Sequence, residues 1–238
     1  MTAISQDRTN DGDLRDRRRE QILNFFGAFE RRVRLLDRLD NEGFQDEALL
    51  LCCCYIEGLG NAFWPQEEKR EYHFVEVLRR YGGDEYWSAI VPQHLMDRLR
   101  EKGKNLLADK IAACLKAEID GQELLCEARL LSHTESSLIP GELNQLRRHL
   151  WRGTIADLAY KELRSYEVHR LGLVHAINFD GFLYKGLPVQ TLDFDVLYSA
   201  LLHIVRMAKE YSLSASALFG HHFEAGKLKH MQKSAEGA

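Results

Sequence analysis

Two pairs of arginine and histidine lie close together in the last third of the chain. Arg164 and His169 are separated by four residues, and Arg170 and His175 repeat this spacing. A guanidinium is permanently charged, whereas an imidazole titrates near neutral pH. Phosphodiester chemistry uses this combination, because one group stabilises charge on the phosphoryl group while the other transfers protons. The two pairs are therefore candidates for a site that acts on a phosphodiester.

The first pair belongs to a segment that is predicted to be helical from Thr154 onward. Thr154 is a suitable N-cap, and Asp157 follows where its carboxylate can face the helix N-terminus. Gly172 is a suitable end for the helix. Apolar residues recur at helical spacing and predict a buried stripe, which consists of Ile155, Leu158, Ala159, Leu163 and Tyr166.

The spacing of the first pair places a condition on this helix. In a regular α-helix, residues five positions apart lie about 140° from each other around the axis. Arg164 and His169 therefore do not share one face. For both to act on a single phosphate, the helix must loosen near its C-terminal end, or a second subunit must complete the site.

The same segment resembles the signature of the HEPN superfamily, all-helical domains whose Arg-x4-6-His motif serves metal-independent RNases of toxin and anti-phage systems. The resemblance is carried by L-R-S-Y-E-V-H-R-L-G at 163–172, where the polar Ser165 follows Arg164. It implies a homodimer that brings two motifs together in a cleft. Only the last third of the chain carries it with any specificity, and the rest matches as generic helices.

The resemblance implies that Arg164 and His169 are the catalytic residues. Arg170 and His175 are the second choice. This pair ranks lower because Gly172 interrupts it and Leu171 is apolar where the family is polar. The expected activity is a metal-independent endoribonuclease, a toxin or an anti-phage defence effector. His169 would transfer protons while the RNA 2′-hydroxyl attacks the adjacent phosphorus, and Arg164 would stabilise the charged transition state.

Other functions remain open at this point. RNA is the expected partner, together with an antitoxin or another protein of the same operon, and no cofactor or metal is expected. The alternative is a catalytically inactive helical module that binds a partner or a nucleotide as a regulatory subunit. A metal-dependent phosphohydrolase is less well supported, because no helix carries closely spaced His and Asp pairs.

Clusters of arginine lie outside the motif. Arg147, Arg148 and Arg152 precede it directly and are candidate RNA-binding residues. The N-terminal helix carries two further clusters, at 15–19 and 31–34. Arginine is a good phosphate ligand, but both regions are equally consistent with solvated helix faces held by ion pairs to neighbouring acids.

Composition limits the classes of protein that need to be considered. The net charge of -4 and the pI near 6.2 argue against a protein that coats nucleic acid by bulk electrostatics. No apolar run approaches the roughly 20 residues of a membrane-spanning helix, and the first residues lack the apolar core of a secretory signal. The five cysteines, an odd number, suit a reducing compartment. We expect a cytoplasmic protein.

The apolar pattern predicts a mainly α fold, a helical bundle with a small β-hairpin-like insertion near residues 173–190. A disordered N-terminus is expected at 1–13, a single helical HEPN-like domain at 14–212, and a polar, flexible tail at 213–238. The second helix should lie at the centre of the bundle, where Gly58 and Gly60 would let a neighbouring helix approach. The predicted helices cover 14–39, 45–63, 67–81, a short segment from Pro92, 105–119, 122–131, 142–151, 154–172 and 194–211.

Overall fold

The computed structural model describes the backbone of residues 7–165 and 176–219, and the side chains of residues 14–164 and 176–219. These residues form ten α-helices: α1 Asp7–Asn41, α2 Gln45–Phe63, α3 Arg70–Tyr81, α4 Pro92–Glu101, α5 Asn105–Cys114, α6 Lys116–Asp120, α7 Glu127–Thr134, α8 Pro140–His149, α9 Ile155–Ala159 and α10 Phe194–Ala215. Two 3₁₀ turns lie at Glu85–Ser88 and Leu150–Gly153, and a π-helical turn at Tyr160–Ser165 continues α9. The predicted mainly α bundle is confirmed.

The larger of two apolar cores is built around α2, which contacts α1, α3 and α10. Eight of its residues are buried, as the nearly uninterrupted apolar sequence predicts. Gly60 lies against α3, and a Cβ atom at this position would be 2.2 Å from the carbonyl oxygen of His73. Gly58 faces open space, so the prediction of a close helix approach is confirmed for Gly60 and wrong for Gly58.

A second, smaller core lies among α4, α5, α7 and α8. Its buried side chains include Leu95, Leu99, Ile111, Leu130 and Leu146. These helices are amphipathic and short, so each buries only one apolar stripe. The region supplies α4, which carries several charged side chains toward α9.

The predicted hairpin is present as two very short strands. Strands β2 (Leu183–Tyr184) and β3 (Leu187–Pro188) are antiparallel, and the turn between them has positive φ at Lys185 and Gly186. Strand β1 (Glu123–Leu124) pairs in parallel with β2. The prediction of a helix over 122–131 is therefore wrong at its start, because residues 123–124 pair with a strand about sixty positions later.

Several boundaries differ from the predicted ones. Helix α1 begins at Asp7, inside the segment expected to be disordered, and the predicted helix over 105–119 is interrupted at Leu115. Helix α10 continues to Ala215, and the ring of Phe219 packs 5.5 to 5.9 Å from three phenylalanine rings of α1 and α2. The packed domain thus includes residues up to 219, beyond the predicted boundary at 212. None of the helices in the described ranges is long and apolar enough to cross a membrane.

Candidate functional site

The segment that carries the Arg-His motif begins as predicted. Thr154 has extended backbone angles, and its hydroxyl accepts a hydrogen bond from the Asp157 backbone N–H at 3.3 Å. Three side chains of the predicted apolar stripe, those of Ile155, Ala159 and Leu163, are fully buried. The N-cap and the stripe hold the start of this helix against the larger core.

The helix changes its winding before it reaches Arg164. Residues Tyr160–Ser165 are π-helical. In a π-helix the backbone hydrogen bonds join residues five apart, whereas they join residues four apart in an α-helix, so residues five apart become near neighbours along the axis. The segment therefore departs from regular α-helical winding up to Ser165, one residue past Arg164. His169, Arg170 and His175 themselves lie outside the described residues.

Arg164 is largely buried at the junction of this segment with α2 and α3. Its Nε donates a hydrogen bond to Glu57 Oε2 at 3.1 Å, and 13% of its side chain is exposed. Arg70 lies 3.9 Å from the other oxygen of the same carboxylate. Burial and the Glu57 carboxylate raise the pKa of the neighbouring Tyr160 hydroxyl. Both terminal nitrogens of Arg164 form no hydrogen bond with the described residues.

A buried network of charged side chains joins α9 to α4, next to the π-helical turn. Asp157 is fully buried and accepts two hydrogen bonds from Arg98, at 2.8 and 3.2 Å, and one from His94 Nε2 at 2.9 Å. Arg98 also donates to Glu71 of α3 and to Glu101 at 2.8 Å. Burial acts to lower the pKa of Arg98, but the carboxylates of Asp157 and Glu71 outweigh it, so that its pKa is raised.

Sequence reasoning missed this network. Asp157 and His94 are 63 positions apart, and Asp157 and Arg98 are 59 positions apart, so that no local motif joins them. The only signal in the sequence is an acid placed early in a helix, which predicts an interaction with the helix N-terminus. The structure shows instead that this carboxylate links two helices and neutralises a largely buried guanidinium.

The three candidate RNA-binding arginines lie in different environments. Arg152 is buried, donates to Glu71 at 3.1 Å and lies over the ring of Trp151 at 4.3 Å. Arg147 and Arg148 are exposed on α8. The guanidinium of Arg152 therefore compensates a partly buried carboxylate, whereas those of Arg147 and Arg148 are exposed. RNA binding by the three arginines stays a prediction.

Two further observations bear on the type of site. In the part of the chain that the structure describes, no group of three or more His, Cys, Asp or Glu residues is arranged to hold a metal ion. Three comparisons find no match: no family model matches the chain, and none of the curated proteins or solved structures is significantly similar to it. Membership of the HEPN superfamily therefore stays a prediction based on the Arg-His segment.

Proposed function

We propose that this chain is a metal-independent endoribonuclease of the HEPN type, a toxin or anti-phage effector, in which Arg164 and His169 form the catalytic pair. The observation that carries the proposal is the π-helical winding of Tyr160–Ser165. A regular helix would turn residues five apart away from each other, so the proposal requires that the π winding continues past Ser165 and moves Arg164 and His169 toward one side. Local π-helical turns of this kind occur frequently at functional sites.

The contacts of Arg164 also support the proposal. Glu57 accepts a hydrogen bond from Nε only, so the carboxylate orients the guanidinium without occupying its two terminal nitrogens. Those nitrogens provide the paired donors that match two oxygens of a phosphate. Glu57 of α2 binds one edge of the guanidinium, and among the described residues no hydrogen bond occupies its terminal nitrogens, which in this proposal bind the substrate.

The proposed reaction needs a base, an acid and charge stabilisation. The 2′-oxygen of the RNA forms a bond to the adjacent phosphorus, the bond from phosphorus to the 5′-oxygen breaks, and a 2′,3′-cyclic phosphate results. His169 takes the 2′-hydroxyl proton, and the leaving 5′-oxygen receives a proton, from the same imidazole or from that of a second subunit. Arg164 stabilises the added negative charge on the phosphoryl oxygens.

The test is an RNA cleavage assay on the purified full chain in the presence of EDTA. The substrates are total RNA and tRNA, and the products are examined for 2′,3′-cyclic phosphate ends. His169→Gln should lower the rate at least about 100-fold, because a positioned acid or base contributes that much. His175→Gln is the matched control for the second pair. Loss of cleavage with EDTA, or full activity in both variants, would contradict the proposal.

One contact favours a second candidate function. Arg164 is largely buried and paired, which also suits a structural residue in a catalytically inactive helical module that binds a partner or a nucleotide. In that case wild-type protein cleaves no RNA, and Arg164→Gln lowers the thermal midpoint by leaving Glu57 without its closest cation. Sedimentation analysis of the same samples tests the homodimer that the nuclease proposal includes.

A further inference from the structure

A cleft of about 700 Å³ lies between α10 and the turn that follows α3. One wall consists of Gly82, Gly83 and part of the 3₁₀ turn Glu85–Ser88, and the other wall is the exposed side of the first half of α10. Its volume lies within the range of small-molecule sites, roughly 300 to 1,000 Å³. Arg164 is not among the residues that line this cleft, so a ligand in the cleft is independent of the proposed nuclease site.

An arginine and a histidine of α10 meet in this cleft. Arg206 Nη2 lies 2.9 Å from His203 Nδ1. A guanidinium can only donate, so Nδ1 accepts the hydrogen bond and the proton of the neutral imidazole is on Nε2. No carboxylate of the described residues forms an ion pair with Arg206. The pair therefore offers one full positive charge and a neighbouring N–H donor to an anion.

The backbone of the opposite wall holds the imidazole in place. Gly83 has a φ of +87°, and a Cβ atom there would lie 2.8 Å from His203 Cγ. A side chain at this position would displace the ring, so glycine is required both for the turn and for the contact. Burial, followed by the charge of Arg206, lowers the pKa of His203, which is consistent with a neutral ring.

Tyr86 and Trp87 form an aromatic part of the same wall, with 4.7 Å between their ring centroids. The hydroxyl of Tyr86 has almost no accessible surface and forms no hydrogen bond with the described residues, and burial, with a smaller effect of nearby carboxylates, raises its pKa.

Two carboxylates complete the polar lining. Asp84 accepts a hydrogen bond from the Tyr86 backbone N–H at 2.9 Å through one oxygen, and Asp195 lies in the first turn of α10. Carboxylates repel an anion but accept hydrogen bonds from hydroxyl groups. The cleft thus combines donors for an anion with acceptors for hydroxyls, which favours a ligand that carries both.

We propose that this cleft binds a phosphorylated sugar. The guanidinium of Arg206 and the Nε2–H of His203 bind the phosphate, since an arginine fork matches two phosphate oxygens. Asp84 and Asp195 accept hydrogen bonds from the sugar hydroxyls. A free sugar phosphate and the ribose phosphate of a mononucleotide share this chemistry.

Isothermal titration calorimetry of the full chain with ribose 5-phosphate, AMP and ribose tests the proposal. Ribose 5-phosphate should bind saturably and ribose far more weakly. Arg206→Gln should weaken binding at least about tenfold, because it removes the charged donor. Lys209→Gln is the matched control, since it removes one positive charge from the same helix outside the cleft lining, where it pairs with Glu30. Absence of binding, or equal weakening by both variants, would overturn the proposal.

The two phosphorylated probes distinguish the possible ligands. Tighter binding of AMP than of ribose 5-phosphate identifies a mononucleotide as the ligand, whereas equal affinities identify a sugar phosphate.

Discussion

The packing of α2 against α3 makes Gly60 sensitive to a single methyl group. A Cβ atom at this position would lie 2.2 Å from the carbonyl oxygen and 2.6 Å from the carbonyl carbon of His73. These are backbone atoms of a packed helix, so they cannot move aside by a rotamer change. Overpacking of this kind costs about 1 to 3 kcal/mol, and the better helix propensity of alanine returns about 1 kcal/mol. Because the clash is with backbone atoms, the upper end of the overpacking cost applies, and we expect Gly60→Ala to lower the free energy of unfolding by about 2 kcal/mol.

The matched control lies two positions earlier in the same helix. Gly58 has open space where a Cβ would be, so Gly58→Ala should raise the free energy of unfolding by about 0.5 to 1 kcal/mol. Urea unfolding followed by circular dichroism measures both variants. For a chain of this size, the expected loss in Gly60→Ala corresponds to a thermal midpoint lower by about 4 to 8 °C. Equal stability of Gly60→Ala and Gly58→Ala would contradict the close packing of α2 against α3 at Gly60.

Three other perturbations test buried or charged groups. Asp157→Asn should lower the free energy of unfolding by about 1.5 to 3 kcal/mol, because a fully buried charged acceptor is lost while Arg98 keeps its pairs with Glu71 and Glu101. Asp97→Asn on the exposed surface of α4 should change this free energy by less than about 0.5 kcal/mol. Equal losses in urea unfolding would contradict the buried network. Burial and then Arg206 lower the pKa of His203, so Arg206→Gln should raise that pKa in an NMR titration, and an unchanged value would show that the contact is not formed. Cys54 is the exposed cysteine of the described residues, Cys114 and Cys126 are partly exposed, and Cys52 and Cys53 are buried, so a thiol reagent should label Cys54 first and Cys54→Ser should lose the fastest phase.

The sequence predicts best those elements whose caps, apolar runs and prolines lie within one or two helical turns of each other. Helix α2 spans Gln45–Phe63 as predicted, because an apolar run ends at Trp64-Pro65 and a proline excludes the helical conformation in the residue before it. Pro92 begins α4, and Thr154 caps α9. Caps and apolar stripes can be predicted without knowing which helix packs against them.

The errors arose where a distant segment decided the conformation. Residues 123–124 have neighbours typical of a helix, yet they pair with β2 because that pairing satisfies backbone groups in the folded chain. The π-helical turn at Tyr160–Ser165 also had no local signal. Phe219 was assigned to a flexible tail, but it fills a space among phenylalanines of α1 and α2 that exists only after those helices pack.

By itself, the sequence determined the fold class and some helix ends, such as the Thr154 cap, and it made Arg164 and His169 candidates for a phosphodiester site. Tertiary structure alone decided which charged groups meet: Asp157 with Arg98, Arg152 with Glu71, and His203 beside a glycine turn 120 positions earlier. The physical reason is the distance along the chain over which each kind of interaction acts. Helix signals act through backbone hydrogen bonds between near neighbours, whereas the burial and partner of a charge depend on which helix faces pack together.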